Sequence, residues 1–313
     1  MRLALGTVQF GLDYGISNHD GQVSDEELDA IIALARQAGI DTLDTAQAYG
    51  NAEQRLGQRD ITDFTLIDKL APGLLLSDVK AALNNSLHWL GRKRLDGLLL
   101  HRSQDASPAL FELLTDLQQQ GAIGKLGISV YSPEELDTWS AAGYPLELVQ
   151  LPANLLDQRF LRTGWLDKLV DMGCEIHVRS LFLQGLLLMQ PAQRPDYFQR
   201  FATALERFDH WHPSVAPLGR ALSIMTALPQ VSRFVVGVCH AQELAAIVAA
   251  SQVQHECYEA DIAHLASMEQ ELINPDSGEH DDLGYSAGQN QFFPPAQKGT
   301  KGTAGRTHAG KAD

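Results

Sequence analysis

The chain has 313 residues, 44% of them hydrophobic, which is enough for one large core, and it carries a formal net charge of −15. A chain this acidic, with a pI of about 5.1, has no general electrostatic attraction to nucleic acid or to an anionic membrane, so neither is expected as a partner. The three cysteines, Cys174, Cys239 and Cys257, form no C-x-x-C pair, which suggests neither a disulfide framework nor a zinc site.

The beginning of the chain, MRLALGTVQFG, has the pattern of a strand that runs into a glycine turn. It lacks the long apolar segment and the small-residue cleavage site of a signal peptide. No apolar run approaches the length of about 18 residues that a membrane span requires. We therefore expect a cytoplasmic protein.

Short apolar segments then alternate with amphipathic helical patterns up to about residue 255. The eight strand candidates are RLALGT, DTLD, FTLID, LDGLLL, GKLGIS, LELVQ, CEIHV and RFVVGV. Eight strand–helix units predict an α/β fold with a parallel sheet closed into a (β/α)8 TIM barrel. An open doubly wound sheet is the alternative, and the absence of G-x-G-x-x-G after the first strand weakens its dinucleotide-binding version.

The helical patterns carry start and stop signals. Ser24 with Glu27 and Ser132 with Glu135 fit the capping-box pattern, and Ser77 is a third capping candidate. Glycines that end helical patterns, as expected at helix C-termini, are Gly39, Gly91, Gly121 and Gly143.

The composition changes near residue 277. We assign residues 1–278 to the barrel domain and predict that residues 279–313, rich in Gly, Lys, Asp, Ala and Thr, form a disordered tail. The FFPP segment at residues 292–295 either docks on the barrel or a partner, or is an apolar piece of a loose tail. A protein partner for this tail stays open, with nothing in the sequence to support it.

Four polar residues stand where successive strands end. Asp44 closes GIDTLD, Tyr49 follows on the next loop, Lys69 closes FTLIDK, and His101 closes LDGLLLH. In a parallel α/β barrel the carboxyl ends of the strands form the active-site face, so these four side chains are expected at one site.

The four residues make a coherent proton-transfer set. A free tyrosine has a pKa of about 10, and the Lys69 ammonium would lower it by stabilising the phenolate. Asp44 would hold Lys69, and His101 would orient a substrate oxygen. The set contains no strong nucleophile activated by a base, and it is a poor metal shell, so neither hydrolysis nor a metal site is expected. A proton donor without a nucleophile suits hydride addition to a carbonyl from a cofactor.

The segments that contain these four residues resemble those of the aldo-keto reductase family. Residues 39–53, GIDTLDTAQAYGNAE, resemble its Asp-Thr-Ala-x-x-Tyr-Gly-x-x-Glu signature, residues 98–101 resemble its histidine strand, and GKLGIS at 124–129 resembles the stretch leading to the nicotinamide. The match covers about residues 1–255. The resemblance implies a (β/α)8 barrel and NAD(P)H-dependent reduction of an aldehyde or ketone. It also implies that Tyr49 is the general acid–base, that Asp44 and Lys69 tune it, and that His101 orients the carbonyl.

The resemblance also implies a cofactor site. Ser129 and Gln150 would hydrogen-bond the nicotinamide carboxamide. The other implied cofactor residues are Gly6 and Thr7 on the first strand, Arg179 after the seventh, and Gly237, Val238 and His240 in the turn that resembles the family's phosphate-gripping turn.

Three departures from the family pattern bear on the cofactor. Val130 stands where many members have Asn, and Arg179 stands where a stacking aromatic is usual, so its guanidinium could stack, bind an anion or form a salt bridge at the rim. The turn has Cys239 and His240 in place of a cation. NADH is therefore expected at least as much as NADPH.

The sequence thus predicts an NAD(P)-dependent aldo-keto reductase of class EC 1.1.1.- that acts on a small, polar carbonyl compound. The alternative is a cofactor-binding regulator or scaffold that keeps the barrel with little or no turnover. A hydrolase or lyase that shares only the fold is the third reading. The substrate, the reaction direction and the oligomeric state are left open by the sequence.

Overall fold

The computed structural model describes residues 1–253 and 257–273. Its eight strands pair in sequence order, all parallel, and β8 closes on β1. The predicted (β/α)8 TIM barrel is therefore confirmed, and the open doubly wound sheet is excluded. The predicted tail at residues 279–313 and its FFPP segment lie outside the described residues, so both stay predictions.

The barrel is built from short strands and an outer layer of helices. The strands are β1 Leu3–Gly6, β2 Thr42–Asp44, β3 Thr65–Leu70, β4 Leu95–Leu100, β5 Ile123–Ser129, β6 Leu148–Pro152, β7 Glu175–Arg179 and β8 Arg233–Gly237. The α-helices are α1 Val8–Gly11, α2 Asp25–Gln37, α3 Ala52–Gly57, α4 Leu76–Trp89, α5 Pro108–Gln119, α6 Pro133–Ala142, α7 Arg159–Arg162, α8 Trp165–Asp171, α9 Ala202–His210, α10 Pro217–Leu222, α11 Ile224–Ala227, α12 Ala241–Ser251, α13 Glu259–Ile262 and α14 Gln270–Ile273. Short 3-10 helices span Ser103–Asp105, Leu186–Leu188, Pro191–Gln193, Asp196–Phe201 and Ala263–Leu265.

The strands are buried on both faces, because side chains point alternately into the barrel and toward the helices. Ile67, Leu99 and Leu148 form a small apolar cluster of their own. Each precedes by two positions, and so shares a face with, the polar residues Lys69, His101 and Gln150. This apolar layer therefore lies beneath the polar residues at the barrel mouth.

The helix ends agree with the sequence in part. Ser24 caps α2, and its hydroxyl accepts the backbone N–H of Glu27 at 3.1 Å. The prediction that Ser77 caps a helix is wrong. Helix α4 begins at Leu76 after the N-cap Leu75, so Ser77 lies inside the first turn. Its hydroxyl donates a hydrogen bond to the Asp78 carboxylate.

The prediction that four glycines follow the C-terminal ends of helices is confirmed. All four take a left-handed backbone, with φ between +63° and +84°, which L side chains rarely adopt. They are Gly39, Gly91, Gly121 and Gly143.

Cys174, Cys239 and Cys257 are free thiols. Within residues 1–253 and 257–273 no group of His, Cys, Asp and Glu side chains is arranged to hold a metal ion. No helix in the same part of the chain is long and apolar enough to cross a membrane.

Candidate active site

The four predicted catalytic residues meet at one mouth of the barrel. Asp44 is the last residue of β2, Lys69 lies in β3, His101 follows β4, and Tyr49 lies on the loop after β2. All four line a cavity of about 510 Å³ at the carboxyl ends of the strands. We call Asp44, Tyr49, Lys69 and His101 the proton-donor set.

A buried ion pair lies at the centre of this set. Lys69 Nζ is 2.5 Å from Asp44 Oδ1 and donates a second hydrogen bond to the Thr45 carbonyl at 3.0 Å. Lys69 is only 1% exposed and Asp44 only 3%. Both charges have been removed from water, so each depends on the other for its stability.

Tyr49 lies between the ammonium and the imidazole. Lys69 Nζ is 5.2 Å from the centroid of the Tyr49 ring, and the Tyr49 and His101 rings meet edge to face with centroids 5.9 Å apart. The phenol and the imidazole thus lie against each other in the wall of the same cavity.

His101 is neutral at physiological pH. Burial, followed by the charges of Lys69, Arg179 and Arg102, lowers the pKa of His101 to about 3. Its Nδ1 is buried without a hydrogen-bond partner in the described residues. A proton on Nδ1 would bury an unsatisfied N–H, so we place the proton of the neutral ring on Nε2.

The predicted nicotinamide partners stand beside the proton-donor set. Ser129 and Gln150 are paired in the β5–β6 register and both line the cavity. The Gln150 amide donates from Nε2 to Asp44 Oδ2 at 2.7 Å. Asp44 therefore receives Lys69 on one carboxylate oxygen and Gln150 on the other, and it fixes the two sides of the site against each other.

The first and last strands contribute backbone to the same cavity. Gly6 and Gly237 are paired in register and both line it. A Cβ on Gly237 would lie 2.6 Å from the end of the Gln9 side chain, so Gln9 would have to move to accommodate it. Thr7 is fully buried, and its hydroxyl and backbone N–H both donate to the Asp44 carbonyl at 3.0 Å.

Arg179, the last residue of β7, lies across the mouth of the barrel. Its guanidinium stacks over the Tyr131 ring, with Cζ 4.2 Å from the centroid, and donates to the Val130 carbonyl at 3.3 Å. A further hydrogen bond reaches the Ser180 hydroxyl at 3.2 Å. Arg179 therefore lines the cavity in one fixed orientation.

The turn after β8 lies mostly outside the cavity lining. Val238 and His240 do not line the cavity, although Gly237 does. The Glu243 carboxylate accepts the backbone N–H groups of Cys239 at 2.7 Å and His240 at 3.3 Å. Carboxylates of this chain thus fill backbone donors at the start of α12, where an anion could bind.

Two acids from outside this turn complete the arrangement. The Glu27 carboxylate accepts the N–H of Ala241, and the Asp20 carboxylate lies 3.0 Å from Nε2 of His240. The hydrogen bond to Asp20 raises the pKa of His240. With Glu243, these residues surround the turn with negative charge. We call residues 237–241 with Asp20, Glu27 and Glu243 the acidic turn.

Two buried acids behind Lys69 were not predicted from the sequence. Asp68 is fully buried and accepts the Lys69 backbone N–H at 2.8 Å, and Glu53 is 2% exposed. The Glu53 carboxyl hydrogen-bonds Asp68 and Ser86, and burial raises the pKa of both acids. The available signal was two acids in apolar surroundings, one in the signature and one beside the lysine.

The comparisons with known proteins show the family and the fold of the chain. The family model described as "Aldo/keto reductase family" matches residues 2–268. An aldo-keto reductase from Mycobacterium sp. (strain KMS) is 29% identical over 202 residues, which is 61% of this chain and 72% of the relative.

Solved structures share the fold. The holo form of an aldo-keto reductase from Bacillus halodurans superposes with a TM-score of 0.69 at 20% identity, covering 85% of this chain and 92% of that one. A glycerol dehydrogenase from Gluconobacter oxydans gives a TM-score of 0.65 at 19% identity, covering 88% and 92%.

Proposed function

The chain belongs to the aldo/keto reductase family, and on that premise we propose that it reduces a small, polar aldehyde or ketone to an alcohol with a nicotinamide cofactor, Tyr49 acting as the general acid. The observation that carries this proposal is the buried Lys69–Asp44 pair beside Tyr49 in a cavity of about 510 Å³. Small-molecule sites commonly have this size.

The β5–β8 side of the cavity has the chemistry to hold a nicotinamide. Because Gln150 uses its amide nitrogen on Asp44, its amide oxygen is the acceptor that a carboxamide N–H requires. The Ser129 hydroxyl is its neighbour in register, and Gly6 with Gly237 brings bare backbone to the cavity wall. We assign Gly6, Thr7, Ser129, Gln150 and Gly237 to cofactor binding, and the bound cofactor would supply the hydride.

Tyr49 would protonate the oxygen of the carbonyl as hydride adds to its carbon. The positive charge of Lys69 stabilises the phenolate that this proton transfer leaves behind. Asp44 holds the Lys69 ammonium in place, since its carboxylate is the counter-ion at 2.5 Å. The chain thus positions the proton donor before the substrate arrives.

His101 would orient the substrate. With its pKa lowered to about 3, the ring stays neutral and cannot compete with Tyr49 as the acid at neutral pH. Its Nε2–H instead donates a hydrogen bond to the carbonyl oxygen. This bond directs the oxygen toward the phenol and polarises the carbonyl.

The acidic turn supports NADH as the preferred cofactor. Glu243 and Glu27 occupy backbone donors at the start of α12, and Asp20 pairs with His240. A phosphate on the adenosine ribose would bring negative charge to this group of acids, if it binds at this turn. We therefore propose that NADH is used at least as well as NADPH, in a cytoplasmic enzyme.

The same turn favours the second candidate, a cofactor-binding regulator or scaffold. Filled backbone donors at residues 239–241 leave fewer groups to grip a pyrophosphate. Such a protein would bind the cofactor and turn it over slowly or not at all. The intact proton-donor set supports the reductase.

Turnover separates the two candidates. We expect the wild-type protein to oxidise NADH, followed at 340 nm, in the presence of small polar aldehydes, with NADPH serving no better. Cofactor binding measured by fluorescence, with no oxidation across a broad panel of aldehydes and ketones, would leave the regulator as the better account.

A further inference from the structure

The cavity has a cationic region that the proton-donor set does not use. Arg102 follows His101 directly, Arg179 ends β7, and both arginines line the cavity. The charge of Lys69 is already compensated by Asp44 at 2.5 Å. The two arginines therefore add positive charge at the end of the cavity where a carbonyl substrate would be held.

Arg179 is the better placed of the two. Its side chain is partly buried, stacks on Tyr131 and bonds the Val130 carbonyl, so its guanidinium is held in one orientation. The Arg102 side chain is 50% exposed and pairs with Asp105 at 3.0 Å. Solvent and this partner screen the charge of Arg102. The Arg179 guanidinium is better ordered, because stacking and the hydrogen bond to Val130 hold it at the cavity wall.

The surroundings of His101 differ in charge from the acidic turn. Lys69, Arg179 and Arg102 line the same cavity as His101, and after burial their charges contribute to its lowered pKa of about 3. At the acidic turn, burial and the charges of Glu243, Asp20 and Asp13 raise the pKa of Cys239 to about 11. The cations therefore lie on the His101 side of the site, and the acids surround the turn after β8.

We propose that the substrate carries a carboxylate or phosphate group close to its carbonyl, and that Arg179 binds this group; the inference rests on the proposed reductase function. A planar guanidinium recognises both anions through parallel N–H donors, with geometry that a lysine would not provide. Arg179 is fixed before binding, so little side-chain freedom is lost when the anion arrives.

The proposal gives His101 and Arg179 separate roles on one molecule. The imidazole holds the carbonyl oxygen, and the guanidinium holds the anionic group a few atoms away. Two fixed points orient a small substrate, which a single hydrogen bond to the carbonyl oxygen would leave free to rotate. Substrates without the anion are expected to react more slowly at the same concentration.

A matched pair of aldehydes tests the role of charge. 4-Carboxybenzaldehyde and methyl 4-formylbenzoate differ at one group, and kcat/KM for each is measured with saturating NADH. We expect wild type to favour the carboxylate by tenfold or more, since hydrogen bonds to charged groups commonly contribute about that factor. In Arg179→Gln, which keeps a planar hydrogen-bonding group, the ratio is expected to fall toward one.

Two controls accompany this measurement. Arg102→Gln removes the screened arginine and is expected to change the ratio by less than about threefold. Glyceraldehyde 3-phosphate compared with glyceraldehyde shows whether a phosphate group also increases kcat/KM. Circular dichroism establishes that the variants are folded, and an NADH titration shows whether Arg179 serves the cofactor.

The outcomes are distinct. Turnover of both benzaldehydes with a ratio near one in wild type overturns the inference and leaves the reductase proposal standing. An unchanged ratio in Arg179→Gln with weakened NADH binding assigns Arg179 to the cofactor and also overturns it. If no aldehyde reacts, the reductase proposal fails. In that case the affinities of 4-(hydroxymethyl)benzoate and of its methyl ester are compared by calorimetry. Equal affinities overturn the inference that Arg179 binds an anionic group.

Discussion

The proton-donor set lines the cavity, whereas the acidic turn reaches it only through Gly237, and the two regions differ in how their polar groups are satisfied. In the proton-donor set, Asp44 and Lys69 form one buried pair, while the cavity-facing groups stay directed at a ligand. In the acidic turn, Glu27 and Glu243 already occupy the backbone donors. The comparison teaches that two neighbouring regions of one site satisfy their charges differently: a paired ammonium and carboxylate in the proton-donor set, and acids on backbone donors in the acidic turn.

The largest effect is expected when the ammonium group of Lys69 is removed from the proton-donor set. Lys69→Met leaves the Asp44 carboxylate buried without its counter-ion, so we expect the free energy of unfolding to fall by about 3–5 kcal/mol. Turnover should fall as well, because the phenolate of Tyr49 loses its stabilising charge. Urea unfolding and NADH oxidation measure the two effects.

The control for this variant is the double substitution Lys69→Met with Asp44→Asn. It removes both buried charges, so we expect it to recover much of the stability but none of the activity. A double variant no more stable than Lys69→Met alone would contradict the account of a mutually dependent pair.

The second prediction concerns pH and His101. The unfolded histidine binds a proton below about pH 6.5, but the folded pKa is about 3. The unfolded state therefore holds more protons between these values, and stability is lost as the pH falls. At pH 5 this loss is about 2 kcal/mol relative to pH 7.

His101→Gln should remove that component of the acid sensitivity, measured by urea unfolding at pH 7 and pH 5. His19→Gln, at an exposed position, is the matched control and should leave the pH dependence unchanged. Equal acid sensitivity in wild type and His101→Gln would refute the buried, neutral imidazole.

A smaller effect is expected behind Lys69. Burial and the neighbouring Glu53 raise the pKa of Asp68. The folded state therefore keeps a proton on Asp68 that the unfolded state releases above the ordinary aspartate pKa of about 3.9. Stability is lost as the pH rises from that value toward the raised pKa of the folded state. Asp68→Asn should therefore increase the free energy of unfolding at pH 8 by about 1 kcal/mol, and increase it less at pH 5.

Urea unfolding at the two pH values checks this prediction. Asp116→Asn, on the exposed face of α5, supplies the control and should have no effect at either pH. A destabilised Asp68→Asn at pH 8 would mean that the ionised carboxylate is needed at this position.

The smallest expected effect concerns the acidic turn and its influence on cofactor preference. Glu27→Gln keeps an oxygen that can accept the Ala241 N–H but removes a half-buried charge from the acidic turn. We expect NADPH affinity to rise about three- to fivefold relative to NADH affinity. Fluorescence titrations with both cofactors measure this ratio. Glu26→Gln, an exposed neighbour, should not change it.

Much of the fold and of the proton-donor set could be predicted from the sequence, because both are encoded locally. The strands are short and mostly apolar, and the residues at their carboxyl ends reach the same barrel mouth in any closed parallel sheet. Asp44 and Tyr49 are only five positions apart within one signature, and the lysine and histidine strands follow directly. No long-range contact had to be guessed.

The acidic turn and the contacts of Arg179 could not be predicted in this way. Glu27 fits a local capping box with Ser24, yet its carboxylate binds the N–H of Ala241, more than 200 positions away. Arg179 crosses from β7 to Val130 and Tyr131 beyond β5. Such contacts depend on how loops pack over the barrel, which no sequence period records.

The role of Tyr49 is tested most directly by Tyr49→Phe, which removes one hydroxyl from the proton-donor set and leaves the cofactor side intact. We predict that kcat with a reactive aldehyde falls at least a hundredfold, about 2.7 kcal/mol of transition-state stabilisation, while the Kd for NADH stays within about twofold of wild type. Turnover in Tyr49→Phe within a few-fold of wild type, with NADH binding unchanged, would contradict the assignment of Tyr49 as the proton donor.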